Sequence, residues 1–115
     1  MSERAEIRGL WNGSFQYSSS ADVGDFPFKA KIVEKDGDVS GLIIEDSLSG
    51  GTVKAEIKGR LDGRAISFTK TYLTEKDHYA HAVQYEGQIS ADGTAISGTW
   101  RLPHDGGTFS MIRSD

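Results

Sequence analysis

Three Asp-Gly dipeptides divide the chain into segments in which apolar and polar residues alternate. They lie in "KDGDV" (35–39), "LDGRA" (61–65) and "ADGTA" (91–95). Glycine accepts a positive φ and aspartate tolerates it, so Asp-Gly between two alternating segments is the strongest short-range signal of a β-hairpin. Flanking segments such as "FPFKAKIVEK" (26–35) and "AISFTKTY" (65–72) have period two, which is typical of strands with one buried face. The chain is therefore predicted to be all-β.

The turns and the alternation together predict one domain with a simple topology. A length of 115 residues fits a single domain spanning residues 1–115. Every connection is short, which pairs consecutive strands antiparallel, and closing the sheet removes the two edges that an open sheet would expose. We therefore predict an eight-stranded antiparallel up-and-down β-barrel, in which the last strand lies between the seventh and the first and brings the segments with Trp11 and Trp100 close together. The predicted strands are about 7–17, 26–35, 39–46, 52–60, 64–72, 79–89, 94–102 and 107–113.

The residues that face the interior of the barrel are predicted by assigning the apolar member of each alternating pair to the inward face. An eight-stranded barrel is either about filled by its side chains or holds one small ligand. Gly9, Gly13 and Gly98 are expected to make room for the two indoles on the same inward faces. The predicted inward residues are Ile7, Gly9, Trp11, Gly13, Phe15, Tyr17, Phe26, Phe28, Ala30, Ile32, Val39, Gly41, Ile43, Val53, Ala55, Ile57, Ile66, Phe68, Val83, Tyr85, Ile96, Gly98, Trp100, Leu102, Phe109 and Met111.

The two ends of this barrel differ in their loops and in their side chains. The Asp-Gly turns all fall at one end, and the longer loops "SSSADVGD", "SLSGG", "LTEKDH" and "PHDGG" fall at the other, which we call the mouth. Binding residues usually lie on such loops and on the strand ends beside them. Glu45, Lys70, Tyr72, Tyr79 and His81 share the inward phase near the mouth, as expected of a small-molecule pocket with an apolar floor and a few convergent polar groups. The predicted ligand-binding residues are Tyr17, Phe26, Glu45, Lys70, Tyr72, Tyr79, His81 and Trp100.

Three functions fit this pattern. The leading hypothesis is a non-catalytic barrel that binds a small, partly apolar molecule at the mouth. The second is an enzyme that acts on a small substrate through His81, Lys70 or Glu45, which requires a base held against that substrate. The third is a filled barrel that serves as an interaction or assembly module. In that case Lys70 would extend past the rim or simply neutralise Glu45.

Composition and charge argue against several other classes. A net charge of −4 with scattered basic residues lacks the basic footprint of nucleic-acid binding. There is no cysteine for a disulfide or thiolate site. His78 and His81 would point to opposite faces of a strand, and His104 is expected in a loop, so neither a metal nor another cofactor is predicted. No apolar run suggests a secretory signal or a membrane span, and we expect a cytoplasmic location.

The outward positions of the second and third strands carry apolar residues. Leu42, Ile44 and Val33 would face solvent, whereas neighbouring outward positions carry lysines. Scattered apolar surface is ordinary, but a contiguous patch marks a contact surface. We therefore predict that these three residues form a homodimer contact.

Several short segments resemble a known fold family. "GLWNGSF", "VSG", "YEGQIS", "ISGTW" and "GGTFSM" are similar to the strand rhythm of streptavidin-like (avidin/calycin-type) barrels, and they look most like uncharacterised small bacterial proteins of that fold. The resemblance implies an eight-stranded meander barrel with a ligand mouth. It does not imply biotin, because the avidin group surrounds biotin with several tryptophans and no tryptophan occurs here between Trp11 and Trp100.

Overall fold

The computed structural model describes residues 7–18, 26–46, 51–73, 82–103 and 105–114, and these ranges contain eight strands and no helix. The predicted all-β class is confirmed. The strands are β1 (Gly9–Tyr17), β2 (Phe26–Lys35), β3 (Asp38–Asp46), β4 (Thr52–Asp62), β5 (Ala65–Tyr72), β6 (Val83–Ile89), β7 (Ala95–Leu102) and β8 (Asp105–Arg113).

The strand bounds differ from the predicted ones in a few places. β4 continues to Asp62, so that Leu61 adds a further buried side chain near the Asp-Gly end. β8 begins at Asp105 rather than at 107. β6 begins at Val83, not at 79; Ala82 is outside the strand, and residues 79–81 lie outside the described ranges.

The strands form a closed barrel in chain order, and each strand pairs antiparallel with its neighbours. Closure occurs between β1 and β8, with Phe15 opposite Phe109 in the register. The prediction that the two terminal strands pair is therefore confirmed. Ring closure leaves no sheet edge, which removes the site at which another strand would add.

The Asp-Gly turns have the backbone that their sequences predict. Asp36 and Gly37 have φ values of 54° and 91°. Two consecutive positive φ angles are typical of the type I′ turn, whose twist matches that of the flanking strands. Gly63 and Gly93 also have positive φ, at 62° and 75°. These three turns lie at the same end of the barrel and leave the mouth at the other.

The interior is filled by side chains from all eight strands. Phe68 stacks on Tyr85 with ring centroids 4.8 Å apart, and Phe109 meets Tyr85 edge-on at 5.0 Å. Among the described residues, every buried side-chain nitrogen or oxygen has a hydrogen-bond partner. The buried apolar residues are Ile7, Trp11, Phe15, Phe28, Ala30, Ile32, Val39, Ile43, Ala55, Ile57, Leu61, Ile66, Phe68, Val83, Tyr85, Ile89, Ile96, Trp100, Phe109 and Met111.

The two tryptophans lie at opposite ends of this interior. Their segments are neighbours through β8, as predicted, but Trp11 pairs with Arg113 whereas Trp100 pairs with Gly107. Gly107 and Arg113 are six residues apart along β8, which corresponds to about 20 Å of strand. The Trp11 indole N–H donates to the Ile7 carbonyl at 3.0 Å near the Asp-Gly end, and Trp100 lies at the mouth.

Gly13 and Gly98 have other roles than the one predicted, and the role of Gly9 stays a prediction. A Cβ on Gly13 would collide with the Phe28 ring, so this glycine makes room for a phenylalanine rather than an indole. A Cβ on Gly98 would overlap the Glu86 carbonyl, because the β6 and β7 backbones approach closely there. A Cβ on Gly107 would overlap the Gln16 carbonyl and would also lie only 3.0 Å from the Trp100 indole nitrogen. This glycine on β8 therefore permits the close approach of the β1 backbone and also leaves space for the indole.

Candidate functional site

Three polar side chains meet inside the barrel, near the mouth. Glu45 lies one residue before the end of β3, and Lys70 and Tyr72 occupy the last two inward positions of β5. The Lys70 Nζ donates to Glu45 Oε2 at 2.6 Å, and the Tyr72 hydroxyl donates to Glu45 Oε1 at 2.8 Å. Both carboxylate oxygens of Glu45 are thus bonded by side chains that reach across β4. We call Glu45, Lys70 and Tyr72 the polar triad.

The ion pair within the triad is removed from solvent. The side chains of Lys70 and Glu45 are 2% and 8% exposed. Burial lowers the pKa of the Lys70 ammonium, and the Glu45 carboxylate only partly opposes that shift. Lys70 therefore does not extend past the rim, because its short path from β5 to Glu45 holds the nitrogen in the interior. Of the two alternatives considered for a filled barrel, the structure contains the ion pair between Lys70 and Glu45.

Aromatic rings surround the Lys70 nitrogen. It lies 4.7 Å from the Tyr72 ring centroid, 5.0 Å from Phe15 and 5.3 Å from Tyr85. These distances lie within the range of cation–π attraction, which is stronger when the cation is desolvated. Burial raises the pKa of the Tyr72 and Tyr85 phenols, and the Glu45 charge raises it further. Tyr72 is therefore held as a neutral donor to the carboxylate.

Beside the triad, four aromatic side chains form a cluster that opens to the mouth, with Phe15 one inward position below Tyr17. Phe15 stacks on Phe26 at 5.1 Å, and Tyr17 meets Trp100 edge-on at 4.8 Å and Phe26 at 5.6 Å. The Trp100 indole N–H donates to the Gln16 and Thr108 carbonyls, each at 3.1 Å, which fixes the ring. Tyr17 and Phe26 are only partly buried, so their rings are accessible from the mouth. We call Phe15, Tyr17, Phe26 and Trp100 the aromatic rim.

Burial raises the pKa of Tyr17, and the charges of Asp105 and Glu45 add to the effect. The phenol therefore stays neutral at physiological pH. A neutral hydroxyl at the mouth can both donate and accept a hydrogen bond.

The structure brings together six of the eight predicted ligand-binding residues. Tyr17, Phe26, Trp100 and the polar triad lie within one cluster, which is connected through Phe15. Tyr79 and His81 lie outside the described residues, as do His78 and His104. Phe15 and Tyr85 contact the Lys70 nitrogen, although they were predicted only as core residues. The sequence signal for this contact is that each residue faces inward and lies next to the inward residue at the mouth end of its strand.

The outward apolar residues predicted for a dimer contact are exposed. Val33, Leu42 and Ile44 are 48%, 43% and 41% exposed on β2 and β3. Their position on the outer face is as predicted, and dimerisation stays a prediction. In the part of the chain that the structure describes, no helix has the length and apolarity needed to cross a bilayer.

Comparison with known proteins identifies the architecture. No protein-family model matches the sequence, and no curated protein matches it. Among solved structures, a redesigned β-barrel, b11L5F_LGL, superposes with a TM-score of 0.78 at 10% identity, covering 95% of this chain and 92% of that one. A second redesigned β-barrel, mFAP1 bound to DFHBI, gives 0.72 at 8% identity and covers 94% of each chain. The chain shares the closed eight-stranded barrel fold with these proteins. At such identity the likeness concerns the fold alone.

Proposed function

We propose that this protein is a non-catalytic barrel that binds a small, partly apolar molecule at its mouth. The observation that carries the proposal is the polar triad, a buried ion pair with a tyrosine donor in an otherwise apolar interior. A few convergent polar groups at the base of an aromatic opening are the usual form of a small-molecule site. The redesigned barrel mFAP1 bound to DFHBI adds support, since a barrel of the same fold binds a small molecule.

The position of the triad indicates how such a molecule would be held. Tyr17, Phe26 and Tyr72 are partly buried at the mouth and offer ring faces, and Tyr17 adds a hydroxyl. The closed half below is filled by large side chains, so the molecule would lie at the mouth rather than deep in the barrel. Its apolar part would contact the aromatic rim, and its polar part would face the triad.

The two tryptophans provide a test with an internal control. Trp100 belongs to the aromatic rim, and Trp11 lies about 20 Å away at the other end. We would titrate a library of small metabolites, with DFHBI included as a probe, into Trp11→Phe and Trp100→Phe and follow indole fluorescence. We expect saturable changes in Trp11→Phe, which keeps the rim indole, and none in Trp100→Phe. Silence of Trp11→Phe across chemically diverse compounds contradicts the proposal.

A second candidate function is favoured by the exposed apolar surface on β2 and β3. Val33, Leu42 and Ile44 would form the contact of an assembly module whose interior is simply filled. Light scattering of the wild type and of Leu42→Lys decides this case. A dimeric mass that falls to the monomeric mass in the variant supports it, and a monomeric wild type at high concentration removes it.

A further inference from the structure

Lys70 differs from the other lysines that the structure describes. It alone among them is buried, and its nitrogen lies among aromatic rings rather than in water. A lysine amine in such a desolvated site is the usual form of a nucleophile that bonds covalently to carbonyl compounds. The exposed lysines on the outer face are Lys29, Lys31, Lys35, Lys54 and Lys58.

We propose that Lys70 captures small aldehydes as a protonated imine, with Glu45 as the proton-transfer group and counter-ion. The inference rests on the proposed binding function, because it names the chemical class of the molecule that the mouth accepts. The surrounding rings favour an aldehyde with a flat, apolar body, whose face can pack against Phe15 and Tyr72.

The geometry supplies the proton transfers that this reaction requires. Glu45 Oε2, 2.6 Å from Nζ, takes a proton from the ammonium and leaves a free amine. The amine lone pair forms the N–C bond to the carbonyl carbon as the C=O π bond breaks. One proton of the now cationic nitrogen then moves to the carbonyl oxygen and gives a neutral carbinolamine, while Glu45 keeps the proton it took. Glu45 then returns its proton to the carbinolamine hydroxyl, the C–O bond breaks, and water leaves.

The reaction is balanced and leaves the charges of the site unchanged. An ammonium and an aldehyde become a protonated imine and one water, with no oxidant or reductant. The iminium N–H takes the place of the ammonium beside Glu45, so the buried carboxylate keeps a cation partner. Tyr72, which donates to the other carboxylate oxygen at 2.8 Å, is a positioning residue that orients Glu45.

The route to the amine is short. Lys70 is one inward position below Tyr72, the last residue of β5, and it pairs with Val83, the first residue of β6. Among the residues that the structure describes, a single layer of side chains therefore lies between the amine and the mouth. In that layer Tyr17, Phe26, Tyr72 and Leu102 are only partly buried.

Reductive trapping tests the inference on the wild-type protein. We would incubate it with benzaldehyde and sodium cyanoborohydride near neutral pH, stop at low conversion and map benzylated lysines by peptide mass spectrometry. Burial lowers the pKa of Lys70. A lowered pKa raises the unprotonated fraction of an amine, so we expect Lys70 to be the first lysine benzylated, ahead of the exposed Lys54.

Variants separate reaction at this amine from general lysine labelling. Lys70→Arg keeps a cation beside Glu45 but forms no imine, and we expect it to lose the preferred benzylation; Lys54→Arg, on the outer face, should keep it. Circular dichroism checks that both variants fold, and if Lys70→Arg does not, the wild-type map still decides. Labelling of Lys54 and Lys58 with Lys70 unmodified overturns the inference.

The outcome also distinguishes this inference from the binding function beneath it. If Trp11→Phe responds reversibly to ligands while Lys70 stays unmodified, the covalent step is wrong and the binding function stands. If Lys70 is unmodified and no ligand changes the fluorescence, both proposals are overturned. Selective benzylation of Lys70 supports both, since the aldehyde must then enter the mouth.

Discussion

Replacing Lys70 by methionine tests whether the buried ion pair is a strongly coupled unit. Methionine keeps much of the side-chain volume but removes the cation and the 2.6 Å hydrogen bond to Glu45. Glu45, 8% exposed, would then retain a single side-chain partner, Tyr72. Removing one partner of a buried pair leaves an uncompensated charge, which typically costs about 3–5 kcal/mol. We expect that loss in the free energy of unfolding of Lys70→Met.

The double variant Glu45→Leu with Lys70→Met should behave differently. Exchanging a buried ion pair for apolar residues of similar volume is often neutral or stabilising by about 1–4 kcal/mol. Lys70→Met and Glu45→Leu should each lower the free energy of unfolding. The sum of these two losses should exceed the loss in the double variant by about 3 kcal/mol or more, and this difference is the coupling energy of the pair. Urea unfolding followed by far-UV circular dichroism and indole fluorescence measures all four proteins, with linear extrapolation to zero denaturant.

An exposed ion pair on the same barrel provides the matched control. Lys58 and Glu56 lie 3.5 Å apart with side chains 77% and 45% exposed. Such surface pairs contribute about 0–1 kcal/mol, so Lys58→Met should change stability by no more than that. Two results would contradict a strong coupling between Glu45 and Lys70. One is a loss of unfolding free energy in Lys70→Met no larger than that in Lys58→Met, and the other is a double-variant loss equal to the sum of the two single-variant losses.

Three further changes test other parts of the structure. Gly13→Ala should destabilise by about 1–3 kcal/mol in urea unfolding, because its Cβ would collide with the Phe28 ring; an unchanged midpoint would contradict that packing. Arg113→Met should cost about 2–3 kcal/mol, since the guanidinium lies 4.4 Å from the Trp11 ring centroid and donates to two backbone carbonyls; a loss below about 0.5 kcal/mol would show that these contacts are not stabilising. Hydrogen bonds from Ser90 and Thr94 hold the pKa of Asp92 at about 2, so its carboxyl should titrate there by NMR rather than near the ordinary aspartate value of 3.8. This folded-state pKa is depressed, so the associated stability is present above the unfolded value, is lost as the pH falls towards 2, and should be absent in Asp92→Asn.

The sequence predicts the barrel and the mouth for a definite physical reason. Alternation with period two decides which face each side chain occupies, and the Asp-Gly turns decide which strand ends meet. Those two rules suffice to bring Glu45, Lys70 and Tyr72 to one end of one interior. They require no knowledge of how neighbouring strands are staggered.

Features that depend on the stagger between strands were not predictable in the same way. The level of Trp100 relative to Trp11 follows from the register of β8, and so does the identity of Gly107 as the residue that makes room for the Trp100 indole. Glycines close to an indole in sequence are therefore a poor guide to its neighbours in a sheared barrel. Burial of the Lys70 nitrogen likewise depends on the distance across β4 to Glu45, which alternation does not specify.

The stability argument and the functional argument meet at the polar triad. Apolar residues at positions 45 and 70 would suit the interior at least as well as the ion pair, so the needs of the fold do not by themselves account for it. The variant carrying both Glu45→Leu and Lys70→Met, built in the Trp11→Phe background, separates the two requirements. Stability equal to or above that of its parent, combined with loss of the rim fluorescence response, assigns the pair to ligand binding. An undiminished response in that variant would mean that the mouth recognises its ligand through the aromatic rim alone, and the polar triad would lose its place in the proposed function.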